Sequence, residues 1–391
     1  MRLLYFSPVN AGSYAQRPHF MVRAWLEQGV ESVLWVNPYP CRLPQWHDAR
    51  RVHGLHDQGT PLDSRIRVLN VPALPIEPFA WGPWLNRRLL WRNIWREIEQ
   101  YASAEPTILG VGRPCALALE ALDQLRSAGS FYDAMDNFPE FHQGLSRRAM
   151  RRHEDAIAKK VDCVMASSTF LAEKFARRGL HVEKVLNACK MSGGREAEKR
   201  VAGGQNANPQ SPIPNPSSPP VLGYLGCLGH WFDWPLVIRL AEALPRARVE
   251  LVGPRAVPPP KKLPPNVRLL PACRQSEAGE HLARFSAGLI PFQNNALTAG
   301  VDPIKFYEYR ATGLPVLSTS FGEMAVRGRD DGVYFLDRSS DPTGTVLAAL
   351  GHRDDSATMN RFCRDNDWTS RFYQSDCFRS LLPAPRLRRV A

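Results

Sequence analysis

Short apolar runs alternate with amphipathic stretches on both sides of a proline-rich interruption, and this rhythm constrains the chain more than any other feature. Leu3-Leu4-Tyr5-Phe6 is followed by a helical segment beginning near Pro18 and then by Ser32-Val33-Leu34-Trp35-Val36. The runs at 66–69, 107–110, 130–132 and 163–166 continue the pattern. Such alternation predicts βαβ units and a parallel sheet, hence an α/β fold. Residues 190–220 then end in NANPQSPIPNPSSPP and carry almost no large apolar group. A segment like that cannot bury enough surface to offset its ordering entropy, so it reads as a flexible linker.

Beyond the linker the rhythm resumes with Val221–Gly226, a helix from about Pro235 to Leu244, Val249–Gly253, Val267–Leu270, Gly288–Phe292, a helix over 303–312 and Pro315–Thr319. The 391 residues are too many for one compact core and suit two domains with a cleft between them. The expected division is a Rossmann-like domain over 1–189, the linker 190–220, a second Rossmann-like domain over 221–355, and a terminal segment 356–391. In that last segment 359–382 reads as helical, and Pro385–Arg389 as a mobile basic tail.

Hydrophobic residues make up 44% and charged residues 23%, which excludes wholesale disorder and fibrous architectures. The eight cysteines, at 41, 115, 163, 189, 227, 273, 363 and 377, form no Cys-x-x-Cys and no cluster at metal-ligand spacing. They predict buried thiols in a reducing compartment, without a metal site. The opening residues read as a strand rather than a secretory signal, and no run reaches the ~18 apolar residues of a membrane span; a cytoplasmic protein is expected. A net charge of +12 attracts phosphorylated substrates, anionic lipid and nucleic acid alike, but no zinc-finger or RNP-like signature points to nucleic acid as a partner.

The residues that carry chemistry concentrate between Asp302 and Val316. Pro303 suits the first turn of a short helix and Gly313 its stop, with a strand directly behind. Lys305 and Glu308, three apart, share a face. A helix start offers free N–H groups and partial positive charge, to which Lys305 adds a full charge; together they suit a pyrophosphate. Glu308, one turn on, can accept hydrogen bonds from ribose hydroxyls. Taken alone the two residues favour a solvated surface pair, and the flanking Pro and Gly-Leu-Pro-Val context reverses that preference toward the phosphate reading. Gly226, Gly229 and Gly253 follow strand-like runs, where glycine permits close backbone approach.

The run P-I-K-F-Y-E-Y-R-A-T-G-L-P-V (303–316) resembles the donor-site helix of the group 1 GT-B glycosyltransferases, roughly P-x-K-x-x-E-Y-x-A-x-G-x-P-V. Three further segments are similar: G-Y-L-G-C-L-G (223–229) with L-V-G-P (251–254), Y-D-A-M-D-N (132–137) near the family's Y-D-x-x-D-D, and V-M-A-S-S-T-F-L-A-E-K (164–174). V-L-N-A-C-K (185–190) departs from the usual I-P-N-G-V-D, and Gly300 stands where many retaining members carry a glutamate eight residues before the second. The resemblance implies a GT-B fold, two Rossmann-like domains facing across a cleft with the C-terminal helix crossing back to the first.

It also implies a nucleotide-sugar donor, UDP- or GDP-linked, and no other cofactor. Donor binding then falls to Gly226, Gly229, Gly253, Lys305 and Glu308, with Lys305 meeting the diphosphate and Glu308 the ribose. In inverting members an N-domain aspartate is paired with a C-domain lysine that follows an apolar residue, as Lys305 follows Ile304. By that likeness Asp136 is the candidate base, with Asp133 and Glu140 behind it. Asp136 can equally be a cap for the following helix. Arg17 and His19 lie where such enzymes place an acceptor loop.

Trp84, Arg88, Trp91 and Trp95 fall at helical spacing among Arg87, Arg92 and Arg96. This stripe suits either docking at the inner face of a membrane or packing into the first domain. The combined expectation is a glycosyltransferase acting on a lipid-linked or saccharide acceptor in bacterial envelope or exopolysaccharide synthesis. The alternatives are a catalytically degenerate nucleotide-sugar-binding scaffold and a GT-B epimerase.

Overall fold

A computed structural model describes residues 1–44, 62–190, 219–274 and 276–382. Most of the expected linker and the basic tail lie outside the described residues. The chain divides into two compact units, Met1–Leu186 with Arg371–Ala391, and Asn187–Ser370.

The first unit is built on a seven-stranded parallel sheet: β1 (Arg2–Phe6), β2 (Ser32–Val36), β3 (Ile66–Leu69), β4 (Thr107–Val111), β5 (Gly129–Ala134), β6 (Cys163–Ala166) and β7 (Val182–Lys184), in the order β3-β2-β1-β4-β5-β6-β7. Its central strands are buried on both faces, which is why they read as unbroken apolar runs. Helices α1 (Arg17–Glu27), α2 (Gly82–Leu89), α3 (Arg92–Ala104), α4 (Ala116–Gln124), α5 (Gly144–Lys160) and α6 (Thr169–Ala176) connect them. Trp91, Trp95 and Ile98 of the α2–α3 region share a core with Tyr132, Ile157 and Phe175.

The second unit holds a six-stranded sheet: β8 (Val221–Leu225), β9 (Arg248–Val252), β10 (Val267–Leu270), β11 (Ala287–Ile290), β12 (Val316–Ser318) and β13 (Val333–Phe335), in the order β10-β9-β8-β11-β12-β13 and parallel throughout. The strand order reverses between β8 and β11, and open α/β sheets bind ligands beyond the carboxyl ends of strands at such a reversal. Helices α7 (Trp234–Ala243), α8 (Ala278–Arg284), α9 (Ile304–Ala311), α10 (Thr343–Leu350) and α11 (Ser356–Asp365) complete the unit.

The terminal segment is not one helix. After α11 the chain breaks at Asn366, where Asp367 accepts the Thr369 and Ser370 N–H groups and starts α12 (Trp368–Tyr373). Ser375 caps α13 (Asp376–Ser380) by accepting the Phe378 N–H. Residues from Arg371 onward belong to the first unit, where Phe378 packs on Trp25 at 4.1 Å and Glu183 accepts from Ser375 Oγ and the Cys377 N–H. The expectation of eight free thiols is corrected here as well: Cys163 on β6 and Cys377 on α13 form a disulfide. Two residues 214 apart in sequence give no local sign of pairing.

Candidate functional site

Helix α9 is held by its deeply buried tyrosines. Tyr309 Oη accepts the Leu225 N–H at the end of β8, 3.0 Å, and its ring fills the space left by Gly288 on β11. Tyr307 Oη donates to Asp302 Oδ2 at 2.8 Å, the same oxygen that accepts the Asn187 N–H. Gly313, at φ +75°, ends the helix in the left-handed conformation that glycine takes without penalty. These contacts fix the start of α9 beside the ends of β8 and β9, at the reversal of strand order.

There Gly226 (φ +151°) and Gly253 (φ +146°) follow β8 and β9. Gly226 donates its N–H to Val252 O at 2.8 Å, and a Cβ on Gly253 would lie 2.1 Å from Gly226 O, so the two turns touch backbone to backbone. Lys305 rises from the first turn of α9 against this bed: a Cβ on Gly226 would meet its Cε at 2.3 Å and Nζ at 2.6 Å. The ammonium sits 5.4 Å from the Tyr224 ring centre and 6.0 Å from that of Phe292. Among the described residues it makes no ion pair. Burial lowers its pKa, and the charge of Glu308 acts in the opposite sense.

The Ile304 and Lys305 N–H groups have no acceptor among the described residues, since the helix begins at Pro303 without a side-chain cap. Glu308 is exposed, and its carboxylate makes no hydrogen bond among the described residues. Among the described residues the start of α9 therefore presents one free ammonium, two free N–H groups, a bare glycine turn and an open carboxylate. An anion such as a diphosphate suits the first three, and a diol suits the last.

In the first unit Asp136 lies on the loop after β5. Loss of hydration, and next the charge of Asp133, push its pKa up to about 7, with Arg17 pulling the other way. The short turn Phe138–Phe141 that follows has no side-chain cap, and Asn137 Oδ1 accepts from Lys174 Nζ at 2.9 Å. Asp136 is thus not a helix cap, and its carboxylate makes no hydrogen bond among the described residues.

No family model matches the chain. A Bacillus subtilis protein whose name assigns it to glycosyl transfer in teichuronic acid biosynthesis is 25% identical over 289 residues, 67% of this chain and 68% of that one. Among solved structures, Anabaena HepE in complex with UDP and glucose superposes with a TM-score of 0.58 at 13% identity, covering 96% of this chain and 98% of that one. An α,α-trehalose-phosphate synthase (UDP-forming) from Burkholderia xenovorans gives 0.60 at 11% identity, covering 98% and 100%.

The chain has the GT-B glycosyltransferase fold.

The Bacillus subtilis relative is named as a glycosyltransferase and the Burkholderia fold relative as a UDP-forming synthase, in keeping with a glycosyltransferase. Within this GT-B chain the structure brings Gly226, Gly253 and Lys305 together, with Glu308 one turn away. At Gly229 the Trp231 ring fills the space a side chain would take, a Cβ there lying 2.5 Å from that ring. Asp233, in the same loop, is the N-cap of α7 and is paired with Arg338 at 2.8 Å.

Expectations for four residues of the GT-B chain's first unit are corrected. Arg17 is fully buried rather than offered to an acceptor: Nε meets Asp133 at 2.8 Å and Nη1 donates to Val185 O at 2.7 Å. This pairing also removes Asp133 as a candidate base, while Glu140 is engaged by Arg147 and Arg151. His19 spends both ring nitrogens on its own loop, Nδ1 on the Gln16 N–H at 3.2 Å and Nε2 on Ala11 O at 3.1 Å, and burial lowers its pKa. It shapes the 8–12 loop as a neutral imidazole.

The tryptophan stripe is not continuous either. Asn86 O takes the N–H groups of both Leu90 and Trp91, which ends α2, and the chain restarts as α3 with Trp91 and Trp95 in the core. Trp91 Nε1 donates to Pro72 O at 2.9 Å, and Arg87 is paired with Glu120 at 2.7 Å. Trp84 alone of the three tryptophans remains exposed, at 60%.

Sequence reading missed the supports of Lys305. Phe292, which flanks its ammonium, carries no motif, and Tyr224 on the other side sits in the 223–229 segment that was read only for its glycines. Arg327 donates to Asp302 Oδ1 at 2.7 Å and lies 3.8 Å over the Phe306 ring, tying the start of α9 to a residue 25 positions away. The position of Asp302 directly before Pro303 was the one available signal.

Proposed function

We propose that this protein transfers a sugar from a nucleoside diphosphate donor to a lipid-linked or saccharide acceptor of bacterial envelope or exopolysaccharide synthesis. The observation that carries the reading is the Lys305 ammonium, without an ion pair among the described residues and seated on Gly226 beside two N–H groups of α9 that find no acceptor there either. In the transfer, the bond between sugar C1 and the diphosphate oxygen breaks and its electron pair stays on the leaving diphosphate. Lys305 and the free N–H groups stabilise that charge. The acceptor oxygen bonds to C1 as its proton passes to a base, the role given to Asp136, with inversion at C1.

UDP is the favoured base-carrying half, because HepE was solved with UDP and the Burkholderia enzyme is named as UDP-forming. The teichuronic acid name of the Bacillus subtilis relative supports a cell-wall polymer as destination.

Lys305→Ala tests the reading. Losing a charged contact to the leaving group should cost roughly 2 kcal/mol or more, so kcat/KM should drop at least about tenfold in a donor-consumption assay, with a smaller UDP-induced thermal shift. Wild-type turnover in that variant would remove Lys305 from the donor site. A nucleotide-sugar-binding scaffold would show the UDP shift without donor consumption in wild-type protein.

Gly226→Ala probes the bed beneath Lys305. An alanine is strained at φ +151° and its methyl displaces the ammonium, so UDP affinity should weaken about tenfold by calorimetry, with a melting temperature a few degrees lower. Unchanged UDP affinity would separate the glycine turn from phosphate binding.

A further inference from the structure

Helix α5 keeps one face in water. Ser146, Ala149, Met150, Glu154 and Ile157 form its buried side. Opposite stand Leu145, 48% exposed, and the exposed Arg148, Arg151 and Arg152, with Phe141, 42% exposed, just before the helix. At 3.6 residues per turn Leu145, Arg148 and Arg152 lie on one stripe.

Glu140 engages Arg147 and reaches Arg151 at 3.5 Å, whereas Arg148 and Arg152 make no ion pair among the described residues. Asp155, on the same side, is taken up by Arg178. These arginines line an open depression that starts at Gly144. The loop before α2 abuts this helix through Glu77, which contacts His153 Nδ1 at 3.3 Å and accepts the Ala116 N–H at 2.9 Å. That loop leads to Trp81, 53% exposed, whose ring stacks on Phe79 at 5.2 Å.

We infer that the exposed face of α5 docks the protein on an anionic phospholipid surface, with Arg148, Arg151 and Arg152 among the headgroups and Phe141 and Leu145 in the interfacial zone. Arg148 and Arg152, which make no ion pair among the described residues, attract phosphate esters, with Arg151 beside them only partly engaged by Glu140 at 3.5 Å, and two large apolar side chains nearby gain only if the partner is apolar beneath its charged layer. A nucleic acid backbone would satisfy the arginines and leave Phe141 and Leu145 in water. The inference stands apart from sugar transfer, because it needs neither donor nor acceptor. It also replaces the broken tryptophan stripe as the membrane-facing element, with the exposed Trp81 and Trp84 on the same unit.

The test is co-sedimentation with phosphatidylglycerol-containing and pure phosphatidylcholine vesicles, at low and high salt. Wild-type protein should bind the anionic vesicles, and R148E/R152E should lose at least about tenfold in partition at an unchanged melting temperature. R148K/R152K should keep most of the binding, since point charges suffice, and F141S/L145S should weaken what survives high salt. Three results would overturn the inference: equal binding to neutral vesicles, wild-type partition in R148E/R152E, or loss of binding in W81S/W84S but not in the α5 variants. Competition by duplex DNA with F141S/L145S indistinguishable from wild type would do so too, and would point to nucleic acid. UDP-induced thermal shifts run alongside keep this outcome distinct from failure of the donor-site reading.

Discussion

Replacing Asp136 with asparagine should lower the turnover of sugar transfer by about 10²–10⁴-fold while leaving donor affinity unchanged. General-base catalysis by a placed side chain contributes on that scale, and the amide keeps the shape of the carboxylate without its ability to take a proton. The pH dependence follows from the pKa of about 7. A base works only when unprotonated, so the wild-type rate should rise through about pH 7 and level off above it. At pH 5.5 most Asp136 carboxyls would hold a proton and the rate would be down by more than tenfold. In Asp136→Asn the profile should be low and free of that limb. Turnover within about threefold of wild type, with the limb intact, would take the proton transfer away from Asp136. The UDP-induced thermal shift serves as the control, because Asp136 lies in the unit that does not carry Lys305.

What the sequence disclosed and what it hid divide along the range of the interactions involved. The parallel sheets were legible because strand runs such as Val249–Val252 and Ile108–Val111 are buried on both faces, and burial leaves its mark residue by residue. The start of α9 was legible for a similar reason: Pro303, Lys305, Glu308 and Gly313 act within three turns of one another, and the rules of helix ends connect them. Arg17 was misread because its partner Asp133 is 116 positions away, and nothing near position 17 distinguishes a buried guanidinium from one facing a ligand. The same holds for Arg327 under α9 and for Cys377 against Cys163.

The tryptophan stripe failed differently. Helical spacing from 84 to 95 presumes an unbroken helix, whereas the Asn86 side chain grips both the N–H and the carbonyl of Leu74 and its backbone carbonyl closes α2, which turns Trp91 inward. A period read from sequence carries no information on where the helix stops when the stop is made by a distant loop. The arginines of α5 were overlooked for the converse reason. A basic run within a long helix is normally a solvated face, and the docking proposal rests on the exposure of Leu145 and Phe141 beside it, which only the fold reveals.

The buried pair behind Asp136 supplies the other large effect. Arg17→Met removes the guanidinium that faces Asp133 where both side chains are wholly shielded from water, leaving a buried carboxylate without its counter-charge. Breaking such a pair from one side costs about 3–5 kcal/mol, so urea unfolding should shift to much lower denaturant for the unit that contains it. Replacing both partners with apolar residues, Arg17→Met with Asp133→Leu, should recover most of that loss, because the penalty arises from the uncompensated charge rather than from a large net gain of the pair. A single variant within about 1 kcal/mol of wild type would show that the pair is not a support of the fold. The double variant also bears on the chemistry. Asp133 raises the Asp136 pKa by more than Arg17 lowers it, so with both charges gone the carboxyl should release its proton more readily. The limb of the rate profile should then move below about pH 7 without vanishing, since burial around Asp136 remains. A limb that stays in place after both charges are removed would mean that burial alone sets the proton affinity of this carboxylate.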